Sequence, residues 1–243
     1  MYIIPNHVNL SAMKLLSIGS DAKTVKGEKF GVMTGIQYLA PANVSGFNTC
    51  PNASEGCKAA CLFTAGFAGV YATVNKARIE KTLFFFQNRA EYGKQLLKEI
   101  AALVKKAAKA NLIPAVRLNG TSDLAWESIK FDGKSIMEHF PTVQFYDYTK
   151  SADRAKRHAA GQLPANYHLT FSRSESNQAE VLEVLAAGGN VAVVFRDSLP
   201  KECLGKLVID GDESDLRFND PKGVIVGLKQ KGKAKSDNSG FVV

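Results

Sequence analysis

Long apolar runs are missing from this 243-residue chain. The longest, around Leu83–Phe86 and Leu112–Val116, fall far short of the ~20 residues that cross a bilayer, so no spanning helix is expected. The opening MYIIPNHVNLSAMK lacks the basic start and apolar run of a secretory signal. The expectation is a soluble, cytoplasmic protein without a membrane partner. Histidine is scarce as well: His7, His139, His158 and His168 form no spaced ligand pair, which argues against a His₂–carboxylate metal site. No G-x-S-x-G elbow, Walker loop or G-x-G-x-x-G is present, and the common hydrolase, NTPase and dinucleotide fingerprints go with them. There is a single tryptophan, Trp126, expected in the core rather than as a stacking plate. Repeats, low-complexity tracts and linkers are absent, so residues 1–243 are expected to form one α/β domain.

What is present is an ordinary globular composition, 45% hydrophobic and 22% charged, with a basic excess of 31 Lys and Arg over 23 Asp and Glu. A net charge of +8 permits an anionic partner, either nucleic acid or a small phosphorylated ligand. The excess gathers in two places: Lys94, Lys98, Lys105, Lys106 and Lys109 on a helical pattern, and Lys229, Lys231, Lys233 and Lys235 near the C-terminus. Neither carries the interleaved aromatics of a single-strand stacking platform.

Periodicity divides the chain. FGVMTGIQYLA, ending near Ala40, has strand character. From about Tyr71 to Ala110 the pattern is helical and breaks near Asn88–Arg89. One apolar stripe is Ala72, Ala77, Ile79, Leu83 and Phe86; the other is Tyr92, Leu96, Ile100, Leu103 and Ala107. The second half then alternates. Strands are expected at Ile113–Asn119, Thr142–Tyr148, Tyr167–Phe171, Asn190–Phe195 and Gly223–Leu228, and helices at Lys134–His139, Ala152–Ala160 and Asn177–Ala187. Short apolar strands between helices predict parallel βαβ units. The first choice is a complete or partial (β/α) TIM-like barrel with an N-terminal cysteine-rich loop; the alternative is an open doubly wound sheet.

In either architecture, ligands sit where strands end. Residues just past successive predicted strands are Arg117, Asn119 and Asp123, then Asp147, then Ser172 and Glu175. These six are the expected border of one pocket for a small polar or phosphorylated ligand. Asp123 also suits a helix cap.

The cysteines carry the strongest signal. Three of the four, Cys50, Cys57 and Cys61, fall within twelve residues as C-x6-C-x3-C, inside a Gly- and Pro-containing segment spanning 46–70, with a helical turn expected at Lys58–Leu62. In a reducing compartment, clustered thiols read as metal ligands or redox groups. Thiolates converging from a flexible loop suit a [4Fe–4S] cluster, and Pro51 after Cys50 resembles the Cys-Pro pairs of ferredoxin loops. Zinc is the alternative, although it prefers a close C-x2-C pair that is missing here. Cys203, within SLPKECLGK, is the remaining thiol and the candidate fourth ligand; its flanking Pro200 and Gly205 point to an exposed loop.

The run TCPNASEGCKAACLFTAGFAG, followed by ARIEKT, resembles a family of bacteriophage proteins described as gene product eighty-eight. VRLNGTSD, FYDYTK, TFSRSE and DGDESDLRF…GVIVGLKQKGKA extend the resemblance over most of the chain. It implies a phage protein of the bacterial host cytoplasm that binds an iron–sulfur cluster through these cysteines, and it supplies no reaction. In outline, a three-cysteine cluster on a partial barrel is also similar to radical S-adenosylmethionine enzymes, whose C-x3-C-x2-C spacing this chain does not follow. The functions in view are therefore redox or small-molecule chemistry at a cluster, a nucleic-acid-associated phage protein whose cluster is structural, or a zinc-stabilised binding module.

Overall fold

Eleven strands and eight α-helices alternate along the part of the chain described by the computed structural model, residues 13–19, 22–61, 63 and 67–243. His7, Leu62 and the first twelve residues, on which part of the sequence reading rests, lie outside these residues. The strands are β1 (Leu16–Ile18), β2 (Val32–Gln37), β3 (Ile113–Arg117), β4 (Lys130–Phe131), β5 (Lys134–Ser135), β6 (Gln144–Thr149), β7 (Tyr167–Ser172), β8 (Val191–Phe195), β9 (Glu202–Cys203), β10 (Lys206–Asp210) and β11 (Ile225–Lys229). The helices are α1 (Ala22–Glu28), α2 (Glu55–Ala59), α3 (Phe67–Val70), α4 (Ala72–Gln87), α5 (Arg89–Lys109), α6 (Ile136–His139), α7 (Ala152–Ala159) and α8 (Gln178–Ala186).

Hydrogen-bonded neighbours follow the order β1-β2-β3-β6-β7-β8-β11-β10-β9, mostly parallel, with antiparallel pairing only at the two outer strands, β1 on β2 and β9 on β10. That order has two free ends. No closed barrel forms among the described residues, and the open α/β arrangement fits instead. Part of the reason lies in strands without βαβ signatures. β1 turns back antiparallel on β2, and the β9–β10 hairpin ends the other side, so the parallel series never meets itself.

The chain folds as two compact units. One comprises residues 1–51 and 71–145, the other residues 52–70 and 146–243. In the first unit, β2 is buried along all six residues, as a parallel strand covered on both faces must be. α5 covers it with Tyr92, Leu96, Ile100, Leu103 and Ala107, the stripe its periodicity predicts. Gly93 allows this helix to approach Phe131, whose ring fills the space a Cβ would need. Two polar side chains of this core pair with each other: the Tyr92 hydroxyl donates to Gln37 Oε1 at 2.5 Å, and Gln37 Nε2 donates to Leu118 O at 3.1 Å.

α4 departs from expectation. Its buried residues are the consecutive Thr82, Leu83, Phe84 and Phe85, rather than the stripe from Ala72 to Phe86. These four consecutive residues point in all directions around the helix and are all enclosed, so burial there ignores helical periodicity. Phe86 stacks on Phe47 at 4.4 Å, and Phe85 meets Tyr92 and Trp126 at 5.2 Å each. Asn88, with φ −135° and ψ 55°, breaks the helix from α5 at the expected position.

In the second unit the core is Ala155 of α7, Val181, Val184 and Leu185 of α8, and Phe171, Val191, Val193, Phe195 and Ile225 from the strands. A smaller cluster joins Ala60, just past α2, to Ala234 and Val242, with Phe241 packed against it. No helix among the described residues is long and apolar enough to cross a membrane.

Candidate functional site

In the first unit, Cys50 ends a loop wound by its own backbone. Thr49 N donates to Ala42 O at 3.1 Å, the fully buried Thr49 hydroxyl donates to Ala40 O at 2.6 Å, and Cys50 N donates to Asn48 Oδ1 at 2.9 Å. The loop after β3 pins this turn from outside. Asp123 N donates to Thr49 O at 2.8 Å, and Cys50 Sγ lies 3.8 Å from both Thr121 O and Thr49 Oγ1. Burial pushes the Cys50 thiol up and the Asp123 charge adds to it, against hydrogen bonds from the Ala42 and Asp123 backbone and the Thr49 side chain. A cation beside the sulfur would reverse that balance.

Asn119 organises the same loop. Its Oδ1 accepts from Ser122 Oγ at 2.8 Å, Leu124 N at 3.0 Å and Trp126 Nε1 at 3.1 Å, while Nδ2 donates to Leu124 O at 2.9 Å. Trp126 is fully buried, as expected. Arg117 closes β3 opposite Ile36 and is almost completely enclosed. Of the three residues expected here, Asp123 is thus brought to Cys50 and Asn119 shapes the loop between them.

In the second unit, Cys57 rides on α2. Ser54 caps this helix, its hydroxyl oxygen accepting from Cys57 N at 3.2 Å. Cys61 follows four residues after Cys57, just past the Ala60 cap that ends the helix, and its N–H turns back to Lys58 O at 3.4 Å. Glu175, from the loop after β7, holds the start of the helix: Ser54 Oγ donates to Oε2 and Gly56 N to Oε1, both at 2.8 Å. Partial burial works against the Glu175 charge. The hydrogen bonds from the Gly56 and Glu175 backbones and the Ser54 hydroxyl, together with Lys150, nevertheless hold its carboxyl below the usual range.

Lys150 itself donates to Ser172 Oγ at 2.9 Å and to Ser172 O and Arg173 O at 3.3 and 3.2 Å, with its ammonium 5.1 Å from the centre of the Phe241 ring. Arg173 donates to Gly240 O at 2.8 Å and Phe241 O at 3.1 Å. Asp147 lies inside β6, fully buried, accepting from Tyr167 Oη at 3.0 Å; that hydroxyl also takes an N–H from Arg154 at 3.1 Å. Of the expected residues in this unit, Glu175 therefore meets the helix bearing Cys57, Ser172 anchors Lys150, and Asp147 belongs to the Tyr167–Arg154 network.

Cys203 is placed differently from the expected loop. It ends β9 in a tight hairpin whose turn residues, Leu204 at φ 54° and Gly205 at φ 69°, are both left-handed. The thiol is half-buried against the second unit's core; burial pushes it up, with the Arg173 charge opposing. All four cysteines are free. Among the described residues, no three His, Cys, Asp or Glu side chains are gathered closely enough to hold a metal ion.

The family described as Gene product 88 matches residues 13–243. The chain belongs to the gene product 88 family. This is the phage family whose motifs the sequence carries, and membership names no reaction and no metal. No curated protein and no solved structure matches the chain.

In this gene product 88 protein, sequence reasoning missed Ser54 and Gly56, while Lys150 and Arg173 also lie just past predicted strands but were not expected at the pocket's border. Only Ser54 left a signal, as a serine with an acidic residue after it at the start of a short helix. Gly56 acts through its backbone N–H and through close approach, which no local pattern announces.

Proposed function

We propose that this chain is an iron–sulfur protein in which Cys50, Cys57 and Cys61 ligate a [4Fe–4S] cluster. The observation that carries the reading is the confinement of three free thiols to twelve residues. The donor set fits the group, since thiolates are the ligands these clusters take and a partly buried thiol gains from a cation what burial costs its charged form. Metal binding would be coupled to ordering of the segment, as is usual when ligands come from loops. When bound, such a cluster supplies one-electron redox chemistry or, with an open iron, a site for a small molecule.

The protein's own contribution is position. Glu175, Ser54 and Gly56 fix the start of the helix carrying Cys57, and Asp123 and Thr121 fix the turn carrying Cys50. Cys203 is the fourth candidate thiol, and all-thiolate ligation is the common arrangement.

The test is anaerobic reconstitution with ferrous iron and sulfide, followed by quantification of iron, sulfide and zinc. A brown protein with matched iron and sulfide supports the reading. Zinc without iron replaces it with a zinc module. Cys50→Ser, Cys57→Ser and Cys61→Ser should each lose iron, because a hydroxyl is a poor ligand for a soft site. Full retention in two of the three overturns the assignment. An unchanged cluster in Cys203→Ser removes Cys203 from the ligand set and leaves an exchangeable iron.

A further inference from the structure

Half of the chain's net charge of +8 resides on one helix. α5 carries six basic residues, Arg89, Lys94, Lys98, Lys105, Lys106 and Lys109, against two acidic ones, Glu91 and Glu99. Only one carboxylate reaches the outer face, where it offsets a single lysine. Glu99 turns inward to the backbone N–H groups of Leu15 and Leu16, at 2.9 and 2.8 Å, and Glu91 pairs with Lys94 at 2.8 Å. Lys98, Lys105, Lys106 and Lys109 are exposed, and none pairs with a carboxylate among the described residues.

Their arrangement follows from helix geometry. At 100° and ~1.5 Å per residue, Lys94, Lys98, Lys105 and Lys109 fall within an arc of about 60° over ~22 Å of axis, with Lys106 flanking them. Opposite this stripe, Leu96, Ile100, Leu103 and Ala107 are fully buried, so the helix cannot rotate to scatter the charges. The residues between the lysines on the outside are small, Ala102 and Ala108, which lets a partner approach the helix closely.

We propose that this face of α5 binds the phosphodiester backbone of double-stranded nucleic acid, independently of sequence. A straight, rigid row of cations complements a rigid polyanion, and each lysine that neutralises a phosphate releases a counterion. The face also selects against other anions. Its aromatic residue, Tyr92, is buried, so bases of a single strand have nothing on which to stack. Its exposed apolar residues are alanines, so it offers no side chain that would anchor in a lipid surface. This inference is independent of the cluster reading.

The experiment is a titration of the full chain with a labelled duplex of about 20 base pairs, as DNA and as RNA, at rising salt. The four-site variant Lys98→Gln, Lys105→Gln, Lys106→Gln and Lys109→Gln is compared with a control of equal charge loss, Lys201→Gln, Lys229→Gln, Lys233→Gln and Lys235→Gln. The native chain should bind with a log–log salt slope that the α5 variant reduces by 3 to 4, equivalent to about a hundredfold at 50 against 200 mM salt. The control should keep the native slope, and Lys→Arg at the four α5 sites should restore binding, which separates lost charge from lost fold. Preference between the DNA and RNA arms identifies the source. Absence of duplex binding at low salt, an equal fall in the control, or stronger binding to single strands or anionic vesicles than to duplex overturns the proposal.

Discussion

Glu175 Oε1 accepts the N–H of Gly56 at 2.8 Å across 119 residues of chain. With Ser54 on its other oxygen, one carboxylate does what a capping box does locally, occupying donors at the start of a helix that its own first turn leaves open. The helix has five residues, too few to be stable alone, so its position depends on tertiary contacts at both ends: Glu175 at the start, and Ala60 on Ala234 and Val242 at the finish.

Glu175→Ala should therefore loosen α2 specifically. Losing two hydrogen bonds to a partly buried acceptor costs about 1–2 kcal/mol, and Ser54→Ala about 1 kcal/mol. Because both act on one network, the double variant should cost less than the sum. Hydrogen exchange at residues 55–60 should speed up in either variant while exchange in α8 stays slow. Unaltered exchange at α2 would show that Glu175 does not hold it.

Gly56→Ala offers a sharper case. In an ordinary helix the change stabilises by up to about 1 kcal/mol. Here the new Cβ would stand 2.7 Å from Glu175 Oε2 and still closer to Ser239 Oγ, so the sign reverses and the variant loses stability. Adding Ser239→Gly should recover part of that loss in a denaturation curve. A stabilised Gly56→Ala would mean that the helix and the Glu175 loop do not meet as closely as this.

The strands β3, β6, β7, β8 and β11 were legible because each is a short apolar run between polar turns, and α5 because its buried stripe keeps one period over 21 residues. β9 and β10 were not. β10, next to last in the sheet, exposes Leu207 by 57%, and the edge strand β9 has two residues, so neither carries a continuous buried run. The barrel expectation rested on counting parallel strands and could not see that β1 and β9 reverse direction. At the site, clustering made the thiols visible and strand ends made Glu175 visible. Its attachment to Ser54 and Gly56 was invisible, since contacts across 119 residues leave no local pattern.

Asn119 gives a prediction with an optical readout. Its carbonyl oxygen serves three donors, among them the indole N–H of the chain's single tryptophan. Asn119→Ala leaves buried donors at Ser122 and Trp126 without this acceptor, at about 1–3 kcal/mol each before relaxation. The variant should unfold at clearly lower denaturant, with a shifted native Trp126 emission as the indole loses its hydrogen bond. Native-like emission and stability would remove Asn119 from its organising role.

The histidine pair of the second unit sets a pH dependence whose sign can be worked out. His158 and His168 meet edge to face at 4.8 Å. Burial holds His168 down to about 3, helped by His158 and Arg217, and burial with Lys222 lowers His158 as well. Below its ordinary value of 6.5, His168 takes up a proton in the unfolded chain but not in the fold. Its contribution is thus fully present above about pH 6.5 and is lost progressively as pH falls towards 3. At pH 5 the loss is about 2 kcal/mol. Asp220 acts oppositely. Burial pushes it up to about 6, Arg217 opposing and Asp215 adding, so its protonated form favours the fold below that pH and the benefit fades as pH rises through 6. Being part-solvated, it offsets His168 only in part. Denaturation at pH 7 and pH 5 should show the native chain weakened by acid, and His168→Gln should shrink that drop by about 2 kcal/mol while His158 keeps a remainder. A drop of the same size in His168→Gln would mean that the buried imidazole does not control acid stability.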